Sequence, residues 1–180
     1  MRKVSIVNVS IIISAILVSC SGDNLEKQST DYEGPILELN DIETLYSDSS
    51  VVRLKLKASK QLEFLNKDRE FPNGIYLEFY EPDGSMSSTL ESNYCYYYSV
   101  EDRWRVLGNV VVRSLKNDEQ LNTEELYWEP VKEIVYTDKF VRVETEGRIL
   151  MGEGLEAKQD FSWWKIEKGK GDIYLDEENP

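Results

Sequence analysis

An antiparallel all-β domain, built as a jellyroll or open sandwich, is the fold that this 180-residue sequence predicts. Short stretches alternate apolar and polar residues, which is the period of a half-buried strand. Turn-forming residues punctuate these stretches at short, regular intervals. None of the pieces between Trp104 and Leu155 carries its apolar residues at helical spacing. Residues 35–175 are long enough for one such domain, and no second one is required.

The chain opens with Arg2 and Lys3 ahead of an apolar stretch, Val4 to Val18, that is interrupted by Ser5, Asn8, Ser10 and Ser14. A basic cap, a short apolar core and a small residue before the break describe a secretory signal over residues 1–19. Its ending, Leu17-Val18-Ser19-Cys20, is similar to a lipobox, which makes Cys20 the lipidated first residue of the mature chain. An uncleaved anchor helix is the alternative. Either way the domain that follows leaves the cytoplasm. Residues 20–34 hold this cysteine and a polar, aperiodic run closed by Gly34-Pro35, which reads as a flexible tether. Such a tether has a typical reach of roughly 20 Å.

The folded region begins with Ile36-Leu37-Glu38-Leu39 and Ile42-Glu43-Thr44-Leu45-Tyr46, followed by a turn at Ser47-Asp48-Ser49-Ser50. The clearest alternation comes next, with Val52, Leu54, Leu56 and Ala58 on one face and Arg53, Lys55 and Lys57 on the other. This basic outer row is expected to pair with acidic neighbouring strands; docking a partner is its competing use. Leu62, Phe64 and Leu65 continue the pattern to an Asn73-Gly74 turn, after which Ile75, Leu77 and Phe79 face inward against Tyr76, Glu78 and Tyr80. Glu81-Pro82-Asp83-Gly84 forms a hairpin turn, because proline sets one dihedral and glycine frees another, and Met86 to Ser92 is the return strand. Further breaks fall at Val100-Glu101-Asp102, Lys116-Asn117-Asp118-Glu119, Glu129-Pro130-Val131-Lys132 and Glu146-Gly147.

Trp104, Val106, Gly108, Val110 and Val112 share one strand parity, while Arg105, Leu107, Asn109, Val111 and Arg113 share the other. The two flanking arginines assign the second set to the outside. Gly108 then lies inward, where it either admits a close approach or relieves a bend. By the same rule Val141 and Val143 point inward and Arg142 and Glu144 outward. Gly152 and Gly154 are expected to re-aim their strand. The Trp163-Trp164 pair caps the end of the core or marks an edge where another domain docks. A last short strand, Ile173-Tyr174-Leu175, follows Gly169-Lys170-Gly171, and residues 176–180 form an acidic tail.

The chain carries 34 acidic and 21 basic residues, a net charge of -13. Cleavage after residue 19 removes Arg2 and Lys3 and no acid, taking the charge to -15. Such a surface repels nucleic acid, so no nucleic-acid partner is expected. Catalysis finds little support either. There is no histidine, no glycine-rich phosphate loop, and lipidation of Cys20 leaves Cys95 unpaired in a β-prone tyrosine run beside acids that disfavour a thiolate. Glu124 and Glu125 are adjacent in a strand and point to opposite faces; Asp41 and Glu43 could share a face and hold a cation but read as solvated strand-end acids. The expectation is a non-enzymatic binding module without cofactor or metal.

The order of Gly108-Asn109-Val110, Leu121 to Leu126 with its Thr-Glu centre, Tyr136-Thr137-Asp138 and Gly152-Glu153-Gly154-Leu155 behind such a leader resembles the LptC family, and more broadly the OstA-like jellyroll modules. The resemblance covers roughly Pro35 to Ile166. It implies an OstA-like β-jellyroll with an apolar interior that takes the acyl chains of lipopolysaccharide from transporter subunits of the LptF and LptG type and passes them to an LptA-like periplasmic jellyroll through strand addition. The residues expected to line that lipid groove are Leu54, Leu56, Leu77, Phe79, Val106, Gly108, Val110, Val112, Val141 and Val143. Attachment through Cys20 departs from the family's usual transmembrane helix and places the domain on the periplasmic face of the envelope, at the inner membrane if it serves the bridge. A structural envelope lipoprotein that docks other envelope proteins without carrying lipid is the competing expectation.

Overall fold

The computed structural model describes residues 32–174, so the leader, Cys20, most of the tether and the acidic tail lie outside the described residues. From Glu33 onward the described chain forms one compact unit. Among the described residues there are eleven strands: β1 Leu37–Asp48, β2 Val51–Glu63, β3 Arg69–Phe71, β4 Ile75–Tyr80, β5 Met86–Ser92, β6 Tyr94–Tyr98, β7 Arg103–Ser114, β8 Glu119–Glu129, β9 Ile134–Thr145, β10 Arg148–Lys158 and β11 Trp164–Tyr174. A single 3-10 turn, Pro130–Lys132, joins β8 to β9. All pairings are antiparallel, as the alternation and the hairpin turns require.

The strands form one sheet in the order β11-β10-β9-β8-β7-β5-β4-β2-β3-β6, with β1 added to β2 and β6 returning to β7. Two long strands organise it. On the same edge, β7 pairs through Val111 to Ser114 with β5 and through Arg103 to Leu107 with β6. In the same way β2 meets β4 through Leu54 to Lys57 and β3 through Leu62 and Glu63. The short strands each take half of a long neighbour, and the sheet is creased between the halves.

A line of irregularities marks the crease. The registers slip between Leu107 and Val110 in β7, between Thr123 and Tyr127 in β8, and between Glu153 and Leu155 in β10. Asp41, Gly74, Gly108, Asn109 and Gly154 hold positive φ along it. An extra residue at a bulge bends its strand, and neighbouring bulges at one level bend the whole sheet. In β8 the buried row accordingly changes parity, from Leu121 and Thr123 to Leu126 and Trp128. Gly74 is required sterically as well, because a Cβ there would stand 1.9 Å from the Ser92 carbonyl oxygen.

Folding the sheet buries one apolar cluster between its halves, drawn from β2 to β10 and closed by Phe161. Of the predicted basic row, Lys55 pairs with Glu43 at 3.2 Å and Lys57 with Glu78 at 2.9 Å, whereas Arg53 makes no ion pair among the described residues; Lys60, outside that row, pairs with Glu38 at 2.8 Å. Tyr80 donates to Glu78 at 2.7 Å, and this hydrogen bond together with burial pushes the Tyr80 hydroxyl up to about 12.

Three local expectations need correction. Leu65 does not continue the inward row; it is 76% exposed in the turn after β2. The segment before Asn73-Gly74 holds a separate strand, β3, that pairs with β2 and β6. The last strand is long rather than short, because β11 starts at Trp164 and its ladder with β10 passes over Gly169 and Gly171. Gly152 makes that ladder possible, since a Cβ on it would meet Ile166 Cγ2 at 2.4 Å.

Candidate lipid-binding interior

The inward residues of both halves converge on one space. From β2 come Leu54 and Leu56, from β4 Leu77 and Phe79, from β7 Val106, Val110 and Val112, and from β9 Val141 and Val143; each of them is buried. Strand parity puts them there, because every second residue of a strand faces the same side. Gly108 stands apart from this set. It sits on the crease with φ +73, and a Cβ there would point at the Asn93 side chain, 3.3 Å from its Cβ. Its glycine is needed for backbone conformation at the bend.

Aromatic residues collect at the end of the interior away from the crease. Phe79 meets Trp128 edge to face at 5.4 Å, Trp128 packs on Trp104 at 5.7 Å, and Trp104 contacts Tyr97 at 4.8 Å and Phe71 at 5.7 Å. Between these rings and the rim lies a cavity of about 320 Å³, lined also by Tyr46, Arg53, Leu54, Arg69, Asp102 and Gln159. Trp128 Nε1 donates to Gln159 Oε1 at 2.9 Å, so the indole keeps its polar edge satisfied at the rim. These rim residues come from β1, β2, β3, the turn after β6 and the turn after β10, and no local pattern in the sequence connects them.

The free margins of the two halves are held together by a row of contacts. Arg69 Nη1 donates to the Tyr46 hydroxyl at 3.1 Å, Ser88 Oγ to the Gln159 carbonyl at 3.1 Å, Asn117 Nδ2 to the Phe161 carbonyl at 3.1 Å and Trp164 Nε1 to Glu119 Oε2 at 3.0 Å. Lys116 reaches Asp160 at 3.8 Å in the same row. The Trp163-Trp164 pair is split by this arrangement. Trp164 packs against the core, while Trp163 is 50% exposed.

Among the described residues, the candidate reactive groups named from the sequence are not brought together. Burial pushes the Cys95 thiol well up, and a nearby Arg69 only partly opposes it, so the thiol stays protonated. Glu124 is exposed and Glu125 buried, and Glu125 accepts from Arg105 Nε at 2.6 Å. Asp41 stands at the crease while Glu43 is held by Lys55. Among the described residues no group of three or more acidic or cysteine side chains could hold a metal ion. The described residues present a packed apolar interior with an aromatic rim and a cavity at that rim.

The described residues form an antiparallel β-jellyroll that folds one sheet around an apolar interior. The chain belongs to the LptC family: the family described as "Lipopolysaccharide-assembly, LptC-related" matches residues 9–162. The match supports a role in lipopolysaccharide transport, a binding role rather than an enzymatic one. No curated protein matches the chain. Among the described residues no helix is long and apolar enough to cross a membrane.

Proposed function

We propose that the protein binds lipopolysaccharide or lipooligosaccharide and carries it across the periplasm as the LptC component of the export bridge. It receives lipid from transporter subunits of the LptF and LptG type at the inner membrane and passes it to an LptA-like jellyroll. The observation that supports this reading is the continuous apolar interior, from Val110 and Val143 to the ring cluster at Trp104 and Trp128, in a chain of a lipopolysaccharide-assembly family. The acyl chains lie along Leu54, Leu56, Leu77, Phe79, Val106, Val110, Val112, Val141 and Val143, with Gly108 setting the bend beside them. Cys20 carries the lipid that holds the domain at the membrane.

Loading runs through the free margins, where four hydrogen bonds contribute about 0.5–1.5 kcal/mol each. Shielding about ten methylenes of an acyl chain contributes roughly 8 kcal/mol before the costs of ordering, and this has to offset the core and ring contacts that the halves lose as they part. The outer edges of β1 and β11 carry no further strand among the described residues and suit strand addition to neighbouring jellyrolls.

One observation favours the structural-docking alternative. Leu56, Leu77, Val110, Val141 and Val143 are at most 1% exposed, so the interior is filled by its own side chains. Mass spectrometry of lipid co-purifying with the full-length protein separates the two readings: bound lipopolysaccharide supports transport, and a lipid-free protein from a lipopolysaccharide-containing membrane supports docking.

A further inference from the structure

Arg53 and Arg69 are placed differently from the other bases around them. Lys55, Lys57 and Lys60 follow Arg53 along β2, and each has a carboxylate partner. Arg53 has no ion pair or side-chain hydrogen bond among the described residues, and it lines both the 320 Å³ cavity at the rim and an adjoining cavity of about 540 Å³. Arg69, from the opposite half of the sheet, lies with its guanidinium 4.3 Å from the Tyr97 ring centre and 5.2 Å from that of Trp104. It donates to the Tyr46 hydroxyl but makes no ion pair among the described residues. The one carboxylate lining this cavity, Asp102, accepts from the Tyr97 hydroxyl at 2.9 Å. The adjoining cavity also holds Asp48, Glu81, Glu133 and Asp160, of which Glu81 and Asp160 face Lys116, so Arg53 borders acids on that side and, with Arg69, the mouth of the apolar interior on the other. In a chain with 34 acids and 21 bases, two guanidinium groups that make no ion pair among the described residues at this mouth are a specific departure from the general charge.

We infer that Arg53 and Arg69 form an anion clamp that holds a phosphate group of the bound glycolipid at the rim; the inference rests on the lipid-carrying reading above. The chemistry fits a phosphate. A guanidinium stacked on aromatic rings uses its face, and its in-plane N–H groups remain available for acceptors. Arginine can offer two parallel N–H donors to one phosphate, and charge-assisted bonds of this kind are stronger than neutral ones. The apolar chains extend from the clamp past Phe79 and Trp128 into the interior, while the sugar and phosphate stay at the polar rim. The clamp spans the two halves, so a bound phosphate replaces the Tyr46 to Arg69 contact across the margin as the lipid enters. The acidity of the chain argues against a broad basic patch, but a pair of aimed arginines requires none.

The test uses the full-length protein in detergent micelles, with lipid A bearing both phosphates and the same lipid dephosphorylated as probes. The wild type should bind the phosphorylated lipid about tenfold or more tightly than the dephosphorylated one. The Arg53→Gln, Arg69→Gln double variant, shown to be folded by its melting transition, should bind the two lipids equally and keep the wild-type affinity for the dephosphorylated one. Arg53→Lys with Arg69→Lys should retain part of the preference. Equal wild-type affinities would overturn the clamp and leave the transport reading standing, whereas a folded wild type that binds neither lipid would overturn both. A double variant that weakens both lipids alike would assign the arginines to rim packing and overturn the clamp. Inorganic phosphate should not displace the lipid at millimolar concentration; full displacement would mean a site for free anions and would overturn the lipid headgroup as its occupant.

Discussion

Phe79 and Trp128 meet edge to face at 5.4 Å although they belong to opposite halves of the creased sheet. Phe79 pairs in register with Leu54 and Ser88, Trp128 with Trp104 and Val135, so ring contact brings the halves together at the mouth of the interior. A double-mutant cycle with Phe79→Leu and Trp128→Leu should yield a coupling of about 0.5–1.5 kcal/mol in urea denaturation. Additive losses would show that the halves are not held by this pair.

The crease depends on close backbone approach at Gly74. Gly74 and Gly84 share almost the same φ, +82 and +86, but nothing lies within 4 Å of a Cβ at Gly84, whereas one at Gly74 would strike the Ser92 carbonyl. Gly84→Ala should therefore cost only the left-handed backbone penalty, about 1–2 kcal/mol. Gly74→Ala should cost about 1–3 kcal/mol more, from the forced displacement of β5. Thermal melting of the two variants measures the difference.

Much of this fold is legible along the sequence because strand parity is local. The rows Leu54 and Leu56, Leu77 and Phe79, and Val141 and Val143 face inward as alternation requires, and the Lys55, Lys57 row finds its acids. The crease is legible only in part. Gly108 as a bend and Gly154 as a residue that re-aims its strand are expected from the sequence and sit at bulges, but the bulge at Asn109 and the parity change in β8 between Thr123 and Leu126 are announced by no periodicity. β3 is too short to show alternation, and glycines in β11 read as breaks although the ladder continues over them. The rim is least legible, since Tyr46, Arg69, Asp102 and Gln159 are distant in sequence and meet only when the sheet folds.

On the outer face, Glu125 is 6% exposed and bound by Arg105 at 2.6 Å, with Lys139 at 3.5 Å. Burial raises its carboxyl, but hydrogen bonds from Arg105 and Tyr127 and the positive charges of Arg105 and Lys139 outweigh this and hold it below the ordinary value. The stabilisation is thus complete above the unfolded carboxylate value of about 4.3 and is lost as pH falls through the lower folded value. Arg105→Leu should destabilise by about 1–2 kcal/mol at neutral pH, since Arg105 is 37% exposed and its charge partly screened. The deficit should shrink as the medium is acidified below about pH 4 and Glu125 takes up a proton. A deficit that is constant across chemical denaturations at pH 7 and pH 3 would contradict this.

Attachment through Cys20 is tested by processing. Cys20→Ser should leave the precursor with its leader attached and without lipid, as read by intact-mass spectrometry. Normal cleavage and membrane retention in that variant would remove the lipoprotein assignment and favour an uncleaved anchor.

Transport is tested most directly by the side-chain parity of β7 and β9. Val110, Val112, Val141 and Val143 are 0%, 2%, 0% and 0% exposed and face the interior, while the side chains of Arg113 and Arg142 are 47% and 36% exposed on the outer face. With photo-crosslinking residues introduced singly at these six positions in cells that export lipopolysaccharide, the four valine positions should capture the lipid and the two arginine positions should not. Capture at both parities would mean a surface encounter, and a folded protein that captures nothing at the valines would contradict lipid carriage through the interior.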